Sequence, residues 1–266
     1  MLRHPLRDLF SKSPAVDEKK FDRLQIICRN EGEDLVKETL EGLMRESDII
    51  KEKYKKLNEK LSGGAFPITC LLGGPSLTDE VRHFTASFTE KICELAIEKG
   101  ALCGPGNRGV SYVSLNHAFK HMERRFFSTK VFSVAPDGIQ PDFINVKPER
   151  LGKTHLQRDV GMIMYLVDLF VFIRGKDFYE GKRIQSIEDA DRTRLHLDIA
   201  FISQAPIVLF KDTGGATELY VKHLEKMGFL RDSTVRRRIK IIDGLDSQSM
   251  EEAIAFIRKE FNYKGA

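Results

Sequence analysis

The chain has 266 residues, of which 41% are hydrophobic and 31% charged, and its formal net charge is +4. This composition is typical of a soluble globular protein. No segment reaches the ~18 continuous apolar residues that span a bilayer, and the basic N-terminus lacks the apolar core of a signal peptide. The modest charge permits an anionic small ligand but does not by itself indicate nucleic acid. Four scattered cysteines without a CxxC pair favour reduced thiols in the cytoplasm over a disulfide framework or structural zinc.

Residues 17–61 are rich in Glu, Lys and Leu, with apolar positions at roughly helical spacing. They predict two or three amphipathic helices that end at Ser62-Gly63-Gly64. We therefore expect an N-terminal helical extension, residues 1–62, followed by one domain, residues 63–266. The extension is expected to pack on that domain, although a dimer surface or a partner site is an alternative.

Strands and helices alternate from residue 66 to the end. Helices are predicted over 78–100, 110–125, 186–204, 216–230 and 249–261, with another through Met164. Short apolar strands are predicted at 66–72, before GPGNRG, and near 129–135, 168–173, 205–212 and 236–243. The strands are continuous apolar runs, as expected where both faces of a sheet are covered. The pattern predicts an α/β fold with a doubly wound, mostly parallel, Rossmann-like sheet.

Ligands of such sheets bind beyond the carboxyl ends of the strands. The first predicted loop there contains Gly73, Gly74 and Ser76. Glycines allow close approach of a ligand to the backbone, and Ser76 could cap the next helix or bind a phosphate. A tight turn with a helix cap is an equally good interpretation.

The second loop is GPGNRG, a literal GxGxxG whose candidate ligand-binding residues are Gly104, Gly106, Asn107 and Gly109. An NAD site also needs an acidic residue about 20 positions further on, and Asp137 lies too far along the chain. A mononucleotide or ribose phosphate is therefore preferred to NAD, and no cofactor is expected.

The third loop ends the segment HLQRDVGMIMYLVDLFVFIRG, an apolar run bracketed by cations. Arg174, Gly175 and Lys176 at its end predict a phosphate cradle, with solvated loop charges as the alternative. The next helix is predicted to begin at Ser186, which places Glu188 and Asp189 in its first turn. Helix capping alone would explain these residues.

The fourth loop, residues 211–218, has paired glycines that could close over a base or sugar, or only turn the chain. His117 and His121 share a helix face, as two zinc ligands would. With no HExxH and no third ligand visible in the sequence, no metal site is predicted. The cluster Arg236-Arg237-Arg238 is interpreted as a solvated edge before a strand.

Several pieces together resemble the LONELY GUY family, once described as lysine decarboxylases, whose Rossmann-like superfamily includes DNA-processing protein A. The likeness runs from about Phe66 to Phe261. It rests on the order of LLGGPS, GPGNRG, KVFSVAPDG, QRDVGMIMYLVDLFVFIRG, APIVLFKDTGGATELYVKHLEKMGFL and SMEEAIAFI. Family members hydrolyse nucleoside 5′-monophosphates to a free base and ribose 5-phosphate.

By this resemblance Arg158 matches the family's catalytic arginine, and Asp189 or Glu188 its catalytic glutamate. The carboxylate would stabilise positive charge on the ribose and orient the attacking water. Arg174 and Lys176 would hold the 5′-phosphate. The sequence departs from the family where Arg174-Gly175 replaces a proline and paired glycines. An ion pair with a nearby acid at a helix start is the alternative for Arg158.

The competing hypothesis is a nucleotide-binding, sensing or carrier protein of the same fold without catalysis, and a weaker one is transfer of a sugar or nucleotide fragment. The resemblance also implies a homodimer or higher homo-oligomer. The expected partner is a nucleotide or ribose phosphate, with neither membrane nor nucleic acid.

Overall fold

The structure is a computed structural model, and most of the expected N-terminal extension lies outside the residues it describes. Within residues 1–62 it describes only residues 52, 56 and 59, which are helical. The other described residues are 67–75, 77–106, 108–146, 148–150, 155–175, 178–179, 182–183, 185, 191–203 and 205–261. A bilayer-crossing helix is absent from this described part, whose helices are too short or too polar for that task.

A seven-stranded parallel sheet forms the centre of the fold, as the sequence predicts. Its strand order is β4-β3-β2-β1-β5-β8-β9, and β6 and β7 form a separate antiparallel hairpin. The strands are β1 Ile68–Leu72, β2 Ala101–Gly104, β3 Val131–Ala135, β4 Glu149–Arg150, β5 Leu169–Ile173, β6 Phe178–Tyr179, β7 Lys182–Arg183, β8 Ile207–Phe210 and β9 Ile239–Ile242.

Helices cover both faces of the sheet, which makes the fold doubly wound and Rossmann-like. One face packs against α1 Asp79–Glu98, α2 Val110–His121, α3 Arg124–Lys130 and α8 Ser247–Glu260. The other packs against α4 His155–Tyr165, α5 Asp191–Ser203, α6 Gly215–Lys226 and α7 Ser233–Arg238. In β5, Phe170 and Phe172 enter one core while Val171 and Ile173 enter the other. This two-sided burial explains why the strand is a continuous apolar run.

Two sequence predictions were wrong in their boundaries. The single helix expected over 110–125 is two helices, because Met122 adopts an extended conformation between α2 and α3. The strand expected over 236–243 begins only at Ile239, since Asp232 caps a short helix, α7, by accepting from Thr234 N–H. The two-residue edge strand β4 was not predicted.

The arginine cluster before β9 is not uniformly solvated, contrary to the prediction. Arg238 lies over the ring of Phe201, 4.6 Å from its centroid, and donates a hydrogen bond of 2.7 Å to the Phe201 carbonyl. Arg236 and Arg237 are exposed as expected. Arg238 therefore ties α7 to α5.

Asp168, the one charged residue of the apolar run, fixes β5 beside β1. The Ile68 amide donates to Asp168 Oδ2 at 2.8 Å, and the Asp168 amide donates to the Ile68 carbonyl at 2.9 Å. These bonds stand immediately before the first paired residues, Thr69 and Leu169. They therefore set the register of the two strands that flank the point where the strand order reverses.

Replacing Asp168 by alanine is expected to destabilise the fold by about 1.5–3 kcal/mol, the range for a hydrogen bond to a charged group. Urea unfolding would show a lower midpoint with an unchanged slope. Asp168→Asn keeps an acceptor oxygen and should lose less. Asp137→Ala, at an exposed turn, is the control, and an equal loss in both alanine variants would contradict this role.

Candidate functional site

The four loops selected from the sequence follow β1, β2, β5 and β8, and they lie at one edge of the sheet because these strands are parallel. The chain leaves β1 toward β2 on one side and leaves β5 toward β8 on the other. Such a reversal opens a crevice at the carboxyl ends of the two central strands. The candidate site is therefore this crevice and the loops beside it.

Gly73 and Gly109 are required by contacts between protein segments. A Cβ on Gly73 would lie 2.1 Å from the Ile173 carbonyl oxygen and 2.5 Å from Val110 Cγ2. A Cβ on Gly109, where φ is +102°, would lie 2.4 Å from the Gly74 carbonyl oxygen. The first two loops and the end of β5 thus form one packed unit, which supports the tight-turn interpretation of these glycines.

Ser76 lies outside the described residues, and the helix cap suggested for it belongs to another residue. Thr78 Oγ1 accepts from the Val81 amide at 3.3 Å and caps α1. The expectation that Ser76 could cap this helix was therefore wrong, since the N-cap lies two residues later, at Thr78.

Two backbone amides of the GPGNRG loop donate hydrogen bonds to side chains of the protein. The Gly106 amide donates to Ser111 Oγ at 3.2 Å, and the Arg108 amide donates to Asp142 Oδ2 at 3.0 Å. Gly104 is also needed for packing, because a Cβ there would lie 2.2 Å from Ser111 Oγ. Asn107 lies outside the described residues. Two amides that the motif would direct at an anion are thus already hydrogen-bonded within the protein.

Arg158 is almost completely buried, with 1% of its surface exposed. Its Nε lies 2.5 Å from Asp159 Oδ1, and its Nη1 donates to the Val134 carbonyl at 3.1 Å. The second oxygen of Asp159 lies 2.9 Å from His196 Nε2. Arg158 therefore reaches the carboxyl end of β3, but within the ion pair that was the alternative interpretation of this residue.

A second polar cluster links α5 to α6. The Tyr220 hydroxyl donates to Asp198 Oδ1 at 3.1 Å, and Arg194 Nε lies 3.4 Å from Asp198 Oδ2. Burial, and then the charge of Asp198, raise the pKa of Tyr220 well above its usual value. Together with the His196 contact to α4, this cluster holds α5 in place between two neighbouring helices.

Sequence reasoning missed Asp159, His196 and Asp198. The available signal was the run Arg194-Leu195-His196-Leu197-Asp198, which puts polar residues among buried ones near the centre of a helix. Periodicity indicates that such side chains need partners, but it does not identify those partners on α4 and α6.

Arg174 joins the third loop to the fourth. It is the only non-glycine residue with positive φ, +62°, among those the structure describes. Its amide donates to Thr213 Oγ1 at 2.6 Å, its Nη1 donates to the Thr213 carbonyl at 2.9 Å, and its own carbonyl accepts from the Thr217 amide at 2.7 Å. Non-glycine residues in such strained conformations occur preferentially at functional sites.

Gly175 allows the close contact between these two loops. A Cβ there would lie 2.8 Å from both Ala216 Cβ and Thr193 Cγ2, and its φ is +91°. The residues predicted around it, Lys176, Ser186, Glu188 and Asp189, lie outside the described residues. The structure therefore places Arg174 and Gly175 at the carboxyl edge without locating the candidate carboxylates.

The N-terminus of α6 offers donors at the same place. Its N-cap is Gly214, which provides no side-chain hydrogen bond. Thr217, in the first turn, is fully buried, and its Oγ1 has no hydrogen-bond partner among the described residues. The Thr217 amide already donates to the Arg174 carbonyl, so the donors suited to an anion are the amides before it in the helix and the Thr217 hydroxyl group.

The two arginines that bracket the apolar segment do not converge. Arg158 contacts the end of β3, whereas Arg174 contacts the loop that follows β8. Four strand spacings separate β3 from β8, or about 19 Å across the sheet. In this arrangement a single phosphate contacts only one of the two guanidinium groups.

No protein-family profile matches this chain, and no curated protein sequence does. Several solved structures are similar in fold at low identity. The structural-genomics target TM1055 is 18% identical, with a TM-score of 0.47 over 73% of this chain and 99% of that chain. The molybdenum cofactor carrier protein of Chlamydomonas reinhardtii is 14% identical, with a TM-score of 0.47 over 75% and 99%.

DNA processing protein A of Helicobacter pylori, described for its single-stranded DNA binding, is 13% identical. Its TM-score is 0.45 over 73% of this chain and 82% of that chain. With such values, none of these similarities transfers a ligand or a reaction to this chain.

Gly73→Ala is expected to destabilise the protein by about 3 kcal/mol, the upper end for overpacking, because the clashing carbonyl of Ile173 is backbone. Gly138→Ala is the control, since a Cβ there meets nothing within 4 Å although φ is +74°. Its cost is limited to about 1–2 kcal/mol of backbone strain. Thermal unfolding compares the two variants, and a smaller loss in Gly73→Ala would contradict the close packing.

Arg158→Met should lower the free energy of unfolding by about 3–5 kcal/mol, because it leaves the buried Asp159 carboxylate without its cation. Asp159→Asn and the double variant complete a double-mutant cycle measured by urea unfolding. The coupling between the two positions should exceed about 0.5 kcal/mol, the limit within which independent sites add. Additive losses would show that Arg158 and Asp159 do not stabilise each other.

Proposed function

We propose that this chain binds a nucleoside 5′-monophosphate at the carboxyl edge of its sheet and hydrolyses the N-glycosidic bond. The products are a free base and ribose 5-phosphate. The observation that carries the proposal is the combination of Arg174, the N-terminus of α6 and the buried Thr217 hydroxyl at the end of β5 and β8. The resemblance to the LONELY GUY family in the order of its segments supports the same reaction.

The phosphate binds, in this proposal, where β5 and β8 end. The amides at the start of α6 carry the partial positive charge of the helix dipole, and Thr217 Oγ1 supplies a further donor. Arg174 adds the positive charge, with its backbone fixed by Thr213 and by the Thr217 amide. A phosphate at this position would satisfy the threonine hydroxyl, whose burial otherwise costs free energy.

The ribose then extends across the crevice toward β1. Breaking the N-glycosidic bond builds positive charge on the sugar ring, and a carboxylate beneath the ring stabilises that charge. Asp189 or Glu188, in the segment between β7 and α5, supplies this carboxylate and orients the attacking water. The bond to the base breaks with its electron pair going to the base nitrogen, while water supplies the hydroxyl to the ribose and a proton to the base.

Arg158 acts from the β3 side of the crevice. Its charge is offset by Asp159 at 2.5 Å, so it contributes less field at the ribose than an isolated arginine would. A direct contact with a ribose oxygen or with the leaving base requires its Nη1 to exchange the Val134 carbonyl for the ligand.

A nucleotide-binding or carrier function without hydrolysis is the second candidate. The observation that favours it is the same buried pair, because Arg158 is satisfied by Asp159 and Val134 within the protein. The replacement of the family's proline and paired glycines by Arg174-Gly175 also favours it. We further propose that the chain is a cytoplasmic homo-oligomer with the site near a subunit interface, as the family resemblance implies.

The test combines calorimetric binding with release of free base from a panel of purine and pyrimidine 5′-monophosphates. Thr217→Val keeps the side-chain shape and removes the hydroxyl. We expect it to weaken nucleotide binding about tenfold, as loss of a hydrogen bond to a charged group does, without lowering stability. One of the two variants Glu188→Gln and Asp189→Asn should abolish turnover, and that variant identifies the catalytic carboxylate.

Two controls accompany these variants. Ser114→Ala removes another buried hydroxyl without a partner among the described residues, on α2, and should leave binding unchanged. Arg158→Lys retains the cation that Asp159 needs and should bind nucleotide with reduced turnover. Binding without turnover on any nucleotide establishes the carrier function. Wild-type affinity in Thr217→Val, or no binding of any nucleotide, refutes the site.

A further inference from the structure

Three metal-ligating side chains meet on the surface between α1 and α2. They are Glu90 of α1 and His117 and His121 of α2, and one ligand atom of each lies within 4.8 Å of the others. His117 Nε2 lies 2.8 Å from Glu90 Oε1, and the two imidazole rings stack with centroids 4.1 Å apart. The third ligand that the sequence did not reveal is thus supplied by a neighbouring helix.

This geometry is close to that of a metal site. Ligands at about 2.0–2.1 Å from a tetrahedral zinc ion lie about 3.3 Å from one another. The contact between His117 and Glu90 must open by about 0.5 Å, and the widest separation must close by at most about 1.5 Å. Side-chain rotation supplies such changes, since Glu90 and His121 are exposed and His117 is partly so.

The helices that carry these ligands are anchored in the core. Phe88 and Ile92, on either side of Glu90, are buried in the core, and so are Leu115 and Ala118 beside His117. The relative position of the two helices is therefore set before a metal binds, and the entropy lost on binding is that of the three side chains.

We propose that Glu90, His117 and His121 form a binding site for a divalent transition-metal ion, with zinc as the best match. Two imidazoles and one carboxylate, completed by a water molecule, are a ligand set that zinc accepts. The site does not depend on the proposed nucleotide chemistry. His121 is the last residue of α2, about 18 Å along the helix from the glycine loop at its start. The ion therefore acts as a clip between α1 and α2 and takes no part in catalysis at the carboxyl edge.

Cys93 lies one turn from Glu90 on α1, and its thiol is another group that could bind a metal ion. Burial, followed by the charges of Glu90 and Glu94, raises the pKa of this thiol to about 12. The Cys93 side chain is buried in the core, with 8% of its surface exposed, and it is not among the three side chains whose ligand atoms meet at the surface.

The experiment is zinc titration of the full-length, chelator-treated protein, followed by calorimetry and thermal unfolding. Wild type should bind zinc at this site, and its midpoint should rise with zinc concentration, because a ligand of the folded state stabilises it. His117→Gln and His121→Gln should each weaken this binding at least about tenfold, the low end of the loss seen when even an outer-shell partner of a metal is removed. Glu90→Gln should also weaken it.

His83→Gln is the matched control, since His83 is an exposed histidine of the same helix α1 outside the cluster, and Cys93→Ser tests the thiol. Both should bind zinc as wild type does. Unfolding without zinc verifies that every variant is folded. The proposal is overturned if wild type shows no zinc-dependent rise in its midpoint, or if the double variant His117→Gln/His121→Gln binds zinc as tightly as His83→Gln.

Discussion

The parallel direction of the central strands is the constraint on which the rest of this structure depends. Strands buried on both faces must return through helices, so every loop that follows a strand emerges at the same edge. Those loops are therefore crowded together at this edge. Gly73 and Gly109 let backbone segments approach each other there, and Gly175 leaves room for the side chains of Ala216 and Thr193. The glycine motifs are therefore consequences of packing as well as candidates for ligand binding.

The buried charged side chains of this fold have hydrogen-bonding or oppositely charged partners. Arg158 and Asp159 are both buried and form an ion pair with each other. The second carboxylate oxygen of Asp159 is hydrogen-bonded to His196. The Asp168 carboxylate accepts a hydrogen bond from the backbone amide of Ile68 at the start of β1. Buried charges are tolerated only with such partners. The Arg174 side chain also donates to backbone, at the Thr213 carbonyl of the carboxyl edge.

Much of the fold could be predicted from the sequence. The apolar strands, the helix from Asp79 and the final helix follow from burial and periodicity, which act locally. The errors arose where tertiary contacts overrode local pattern. Met122 interrupts a helix that periodicity continues, and α7 replaces the start of a predicted strand. The short strand β4 forms only because β3 provides an edge for its backbone.

The candidate site was predicted less completely, for a similar reason. The sequence by itself determined that glycine loops and cations follow buried strands, and hence that they share one edge of a parallel sheet. Only the tertiary structure decided that Asp159 meets His196 of another helix and that Arg174 turns toward Thr213. It also decided that Glu90 meets two histidines of another helix. The spacing of apolar and polar residues along the chain indicates which face of a helix or strand is buried. The partner that faces each side chain depends on how the elements pack, and that arises from contacts between residues far apart in the sequence.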